Sequence, residues 1–217
     1  MNSFIVYLRA YRLDRYFKIL VETNTSNDLP YHNLYHILHT TEQILADLQD
    51  EEGIDIEYND NLTFRQKRNL LIASLYHDFK HSGGKKSDKE NVQIACDSIK
   101  EIMINLNEDK SDIEDVIDII KATEYPYTCE YEDLNTSQKI MRDNDLLQCT
   151  SDNFKFQMLR GLMSEMNNNS YRDALKNNIT FLENIQSCSS KVKMSIFYTI
   201  QELKQLYEFL YENKFTN

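Results

Sequence analysis

All five histidines of this 217-residue chain fall in two short stretches, His32, His36 and His39, then His77 and His81. Imidazole ligates transition metals and titrates near neutral pH, so such clustering points to metal binding or proton transfer. His32 and His36 stand four apart, a spacing that on a helix puts both on one face, and His36 and His39 are near neighbours. Asp78 directly follows His77, about 100° away around a helix, so the pair can converge on one ion from a helix end. Such a nitrogen and carboxylate donor set suits Zn, Fe or Mn, and with more oxygen donors Mg. Asp143 and Asp145 each offer a further carboxylate, and spacing alone does not choose between them.

These residues need elements to position them. The run from Asn69 to Tyr76 is apolar almost all round and ends in His77 and Asp78, which predicts a helix at the centre of a bundle. Four glycines and two prolines in the whole chain leave little for the tight turns of a strand-rich fold. Thr63 with Gln66, Ser87 with Glu90 and Ser111 with Glu114 each match a capping box ahead of helical apolar spacing. The patterns predict helices at 3–22, 31–49, 64–79, 88–106, 112–123, 136–149, 152–166, 170–186 and 190–213. No repeat or long linker divides them, so the expected architecture is one all-α domain over residues 1–217.

A formal charge of -11 argues against general affinity for nucleic-acid backbones. The four cysteines form no CxxC pair, and no stretch is apolar enough to span a membrane. A soluble, cytoplasmic protein with reduced thiols is expected. The loop Gly83-Gly84-Lys85-Lys86-Ser87-Asp88-Lys89 is a local positive patch, open to two readings: a phosphate attractor or an ordinary solvated loop.

Tyr31-His32-Asn33-Leu34-Tyr35-His36 matches YHNxxH, and His77-Asp78-Phe79-Lys80-His81-Ser82-Gly83 matches HDxxHxG. With Ile120-Lys121-Ala122-Thr123-Glu124 and Asn144-Asp145-Leu146 in order after them, the chain resembles the HD-domain metal-dependent phosphohydrolase superfamily. Within it, the likeness is to cyclic-nucleotide phosphodiesterases and to small bacterial HD phosphohydrolases. The resemblance implies a helical bundle of the HD/phosphodiesterase type, with His36, His77, Asp78 and Asp145 as metal ligands. Asp78 would bridge to a second divalent ion (Mg, Mn, Fe or Zn). His32 would be the general acid, His81 would sit near the second ion or the phosphate, and Asp143 would be a supporting carboxylate. Lys80, Arg142 and Tyr31, inside the motif segments, are the expected substrate contacts. The activity implied is hydrolysis of a phosphate ester. A cyclic or linear nucleotide cleaved as a phosphodiester leads; the alternatives are a nucleotidase and a non-catalytic nucleotide-binding module. The family's purine clamp, a Gln followed by Phe three residues on, is not matched by Gln186, Gln201 or Gln205, and Phe209 lies four after Gln205.

Overall fold

The computed structural model describes residues 2–48, 62–150, 157–165, 170–185 and 188–211, and among them every regular element is helical. The helices are α1 (Asn2–Ala10), α2 (Asp14–Thr23), α3 (Leu34–Asp47), α4 (Phe64–Tyr76), α5 (Asp88–Asn105), α6 (Lys110–Lys121), α7 (Thr136–Gln148), α8 (Tyr171–Asn184) and α9 (Ser190–Tyr211). A π-helical segment, Gln157–Leu162, runs into a single α-turn, Met163–Glu165, between α7 and α8. The predicted helix at 152–166 lies partly outside the described residues, as do the predicted ends at 49, 186 and 213. None of the described helices is long and apolar enough to cross a membrane.

Helix α4 is the axis of the bundle. Every residue from Asn69 to Tyr76 is buried, with α2, α3, α6 and α7 packed around it. Thr63 and Gln66 start it with the capping box that the sequence predicts, and Ser87 with Glu90 does the same for α5. The third predicted box does not form: α6 starts two residues early, with Asp109 at the N-cap position making no side-chain cap bond, and Ser111 Oγ accepts from the Arg65 guanidinium instead. Two apolar cores result. The larger joins α1 to α7, the smaller joins the C-terminal part of α7 to α8 and α9, and α7 contributes to both.

The predicted helix at 3–22 is two helices. Arg12 adopts φ 59, and the bonds Arg12 N–H to Arg9 O and Leu13 N–H to Leu8 O close α1 with a Schellman turn. That turn usually announces itself with glycine, so an arginine there leaves no mark in the sequence. Asn107, also at φ 59, closes α5 in the same way and delivers Glu108 back onto the bundle.

Glu108 accepts hydrogen bonds from Tyr16 Oη at 2.8 Å and from Arg68 Nη1 at 3.0 Å, tying α2 and α4 to the end of α5. Burial alone would raise its pKa, but the bonds from Arg68 and Tyr16 hold it below the ordinary 4.5. A depressed folded value means the contribution is present above about pH 4.5 and lost as the pH falls through the folded pKa. Glu108→Gln is therefore expected to lose about 1.5–3 kcal/mol at pH 7 and less below pH 4, measured by urea unfolding at both pH values.

Candidate metal centre and cavity

Four donors meet where α3, α4 and α7 converge. His36 comes from the first turn of α3, started by Asn33, whose side chain accepts the Tyr35 and His36 N–H groups. His77 is the C-cap of α4, and Asp78 follows in the turn, so both reach the site from the end of the buried helix. Asp145 projects from α7. His36 Nε2 lies 3.1 Å from His77 Nε2, 2.9 Å from Asp78 Oδ2 and 3.3 Å from Asp145 Oδ1. His77 Nε2 lies 3.4 Å from Asp78 Oδ2 and 3.5 Å from Asp145 Oδ1.

His36, His77 and Asp145 lie close enough to one another to share one cation, and Asp78 Oδ2 stands within 3.4 Å of both imidazoles. Bonds of about 2.1 Å put neighbouring donors roughly 3.0 Å apart in an octahedron and roughly 3.4 Å apart in a tetrahedron. The electrostatics agree. Burial would lower the His36 pKa, but hydrogen bonds to Asp145 and Asp78 lift it to about 10, so the carboxylates hold positive charge at this point. Burial would also raise Asp78 and Asp145, yet the two imidazoles keep both well below the usual carboxylate range. His77 Nδ1 donates to Ser74 O at 2.8 Å, which fixes the ring and turns the Nε2 lone pair toward the cluster.

Asp143 is settled by the geometry. It is buried, and its two oxygens accept from Tyr131 Oη at 2.8 Å and the Ser189 N–H at 3.2 Å. It braces α7 against the start of α9, and Asp145 alone joins the cluster.

His32 lies before α3, not on it, so the helical argument for pairing it with His36 does not apply. The rings still come within 5.9 Å because the chain turns at Asn33. Nδ1 of His32 donates to Glu165 Oε2 at 2.6 Å. The other oxygen of Glu165 accepts the N–H groups of Tyr31 and His32 at 2.6 and 2.9 Å. Burial would raise Glu165, but the His32 bond and charge and these backbone donors hold it below its ordinary value.

His81 stacks on His32, with ring centroids 3.8 Å apart. Its Nδ1 accepts the Gly83 N–H at 3.1 Å, so Nε2 carries the proton of the neutral ring. Burial and the neighbouring His32 push its pKa down to about 4, which keeps it neutral at pH 7. Gly83 makes this contact at φ 60, with Leu29 against the position a side chain would take. His32, His81 and Glu165 also cluster closely enough for a cation. Hydrogen bonds engage both Nδ1 atoms and both carboxylate oxygens, and both Nε2 atoms stay free of them.

Glu165 is a residue the sequence reading missed. The π-helical segment presses against the chain before His32 at Gly161, where a Cβ would lie 2.6 Å from Pro30 O. No flexible side chain can yield there, because the obstacle is backbone. Gly161→Ala is expected to lose about 1–3 kcal/mol and to withdraw Glu165 from His32. Thermal melts check the first effect, and chemical shifts of the His32 ring check the second.

A cavity of about 590 Å³ opens from this centre, with His32, His36, Asp78, His81 and Asp145 in its wall. Tyr31 lines it too, as expected, but its hydroxyl lies 3.9 Å from Cys149 Sγ and its ring packs against His32 and His36. Two expected substrate contacts fall elsewhere. Arg142 is buried behind the wall, donating to Ala122 O and Cys129 Sγ with its guanidinium 4.0 Å from the Tyr127 ring centre. Lys80, at φ 59, extends over Phe79 and does not line the cavity. The lysine that does is Lys86, from the glycine-lysine loop.

The cavity lining also includes the aromatic rings of Tyr125, Tyr127 and Phe181 and the amides of Asn177 and Asn178. Tyr125 packs edge-on to Tyr127 and Phe181 at 5.5 and 5.1 Å. Asn178 and Phe181 stand three apart on α8, the spacing the sequence reading sought only for glutamine. Gln201 and Gln205 are exposed on α9 and do not line the cavity, and Gln186 lies outside the described residues.

Compared with protein-family models and with curated proteins, the chain matches none.

Proposed function

We propose that the protein is a metal-dependent phosphohydrolase of the HD type, cleaving a phosphate ester of a cyclic or linear nucleotide. The observation that carries this reading is the convergence of His36, His77, Asp78 and Asp145 in the wall of a cavity that also presents His32 backed by Glu165. The motif likeness from Tyr31 to Leu146 supports it.

His36, His77, Asp78 and Asp145 would hold a divalent ion, with Asp78 available to a second. Such ions would supply activation of water and neutralisation of charge at phosphorus. His32 supplies the proton: Glu165 holds Nδ1–H, leaving Nε2 as the nitrogen that protonates the departing oxygen. Glu165, kept ionised, opposes the positive charge on the ring and fixes its orientation. His81 donates a hydrogen bond from Nε2 to a phosphoryl oxygen without exchanging its own proton. Lys86 offers a cation at the mouth. A nucleotide fits the remaining space, with phosphate at the acid and histidine end and the base toward Tyr125 and Phe181.

The test is a hydrolysis screen with Mn²⁺, Mg²⁺, Fe²⁺ or Zn²⁺, comparing cyclic nucleotides with their 5′-monophosphates. Turnover of the cyclic compounds supports a diesterase, and turnover of the monophosphates alone supports a nucleotidase. Tight binding with no product under any metal defeats the hydrolase reading.

A further inference from the structure

Asp88 has no place in the chemistry above, yet it lines the same cavity. It occupies the first turn of α5, directly after the Ser87 cap. One carboxylate oxygen, Oδ2, accepts the Tyr125 N–H at 2.6 Å. That bond pins the carboxyl to the backbone of the residue whose ring packs on Phe181. The carboxyl therefore flanks the aromatic wall. Among the described residues no cation pairs with it, and its second oxygen has no protein donor. Asp88 is solvent-exposed at the cavity rim, and partial desolvation, opposed by the Tyr125 bond and reinforced by Asp78 and Asp145, raises its pKa to about 6, below pH 7.

An ionised carboxylate accepts hydrogen bonds and donates none. A flat ring lying on Tyr125 and Phe181 would present its edge to this oxygen. Asn178, 6% exposed, lines the same cavity. An amide both donates and accepts, so it discriminates weakly. Asp88 discriminates strongly, because a carbonyl turned toward it leaves two acceptors facing each other.

We infer that Asp88 is a specificity-determining residue that accepts a hydrogen bond from an exocyclic amino group, selecting nucleotides with an amino-bearing base over their oxo counterparts. This inference rests on the nucleotide reading above. Asp88→Asn tests it with little disturbance, because the amide oxygen can keep the Tyr125 N–H while the NH₂ group replaces the second acceptor with a donor.

The experiment measures KM and kcat for paired adenosine and inosine nucleotides, cyclic and 5′-phosphorylated, with wild type and Asp88→Asn. Melting temperature and bound metal confirm that the variant is folded. Wild type is expected to favour the amino base at least tenfold in kcat/KM, mainly through KM, and Asp88→Asn to abolish or invert that preference. A wild type that turns over both bases equally, or a preference that survives in Asp88→Asn, overturns the inference and leaves the hydrolase reading intact. Loss of discrimination against 2′-deoxynucleotides, with the base preference unchanged, also overturns it, since Asp88 would then read the sugar. If wild type hydrolyses no nucleotide, the broader reading fails first.

Discussion

His32→Ala is expected to slow hydrolysis of an ester with an alkoxide leaving group by about 100- to 10,000-fold, the range that positioned acid catalysis contributes. The same variant should barely affect a p-nitrophenyl ester, whose departing oxygen needs no proton. The contrast follows from the position of the ring: its Nδ1 is committed to Glu165, and its remaining nitrogen is the one available to the cavity wall. Glu165→Gln keeps the shape but removes the charge opposing the imidazolium, so it should reproduce part of the loss with the same leaving-group dependence. Rates for a series of esters of graded leaving-group acidity make the measurement. Equal loss across the series would show that His32 serves structure or binding and not proton transfer.

The second large effect is on stability. A divalent ion at 100 times its Kd adds about 2.7 kcal/mol to a protein that binds it only when folded. For a chain of this size that corresponds to a rise in Tm of roughly 5–11 °C. Wild type should show this rise with Mn²⁺ or Zn²⁺ and lose it with chelator. His77→Ala combined with Asp78→Ala removes two of the four donors and should abolish both the rise and hydrolysis. Metal-free wild type and metal-free variant are melted alongside, so that the shift due to the ion is read separately from any change in the metal-free fold. A shift of full size in the double variant would place the stabilising ion elsewhere.

The parts of this site visible in the sequence are those that local spacing controls. His77 and Asp78 end a run whose all-round apolarity marks a central helix, and that helix is central. His36 follows from clustering and from the predicted helix at 31–49, which the structure starts later, at Leu34 after the Asn33 cap. Asp145 could be chosen over Asp143 only by resemblance, because two residues on one helix differ in facing and the sequence does not say which side is buried against what. The structure answers with Tyr131 and Ser189, both bonded to Asp143.

What stayed hidden depends on long-range approach. Glu165 is 133 residues from His32 and reaches it only because Gly161 lets a π-helical segment touch the backbone of Pro30. Neither the π geometry nor that contact has a periodic signature. Arg142 misled for the complementary reason: a guanidinium inside a motif segment suggests phosphate, yet this one is satisfied by a carbonyl, a thiol and the face of Tyr127. Asn178 and Phe181 were legible in principle, three apart on a predicted helix, but an asparagine is too common to single out without the cavity it faces.

In the proposed function, His36, His77, Asp78 and Asp145 together hold a divalent ion. Crystals grown with Mn²⁺ and measured for anomalous scattering test it most directly. The expected result is a peak within bonding distance, about 2.0–2.3 Å, of His36 Nε2, His77 Nε2 and the Asp78 and Asp145 carboxylates. A map with no peak among these four donors at saturating Mn²⁺, or with its only peak at another place, would contradict it.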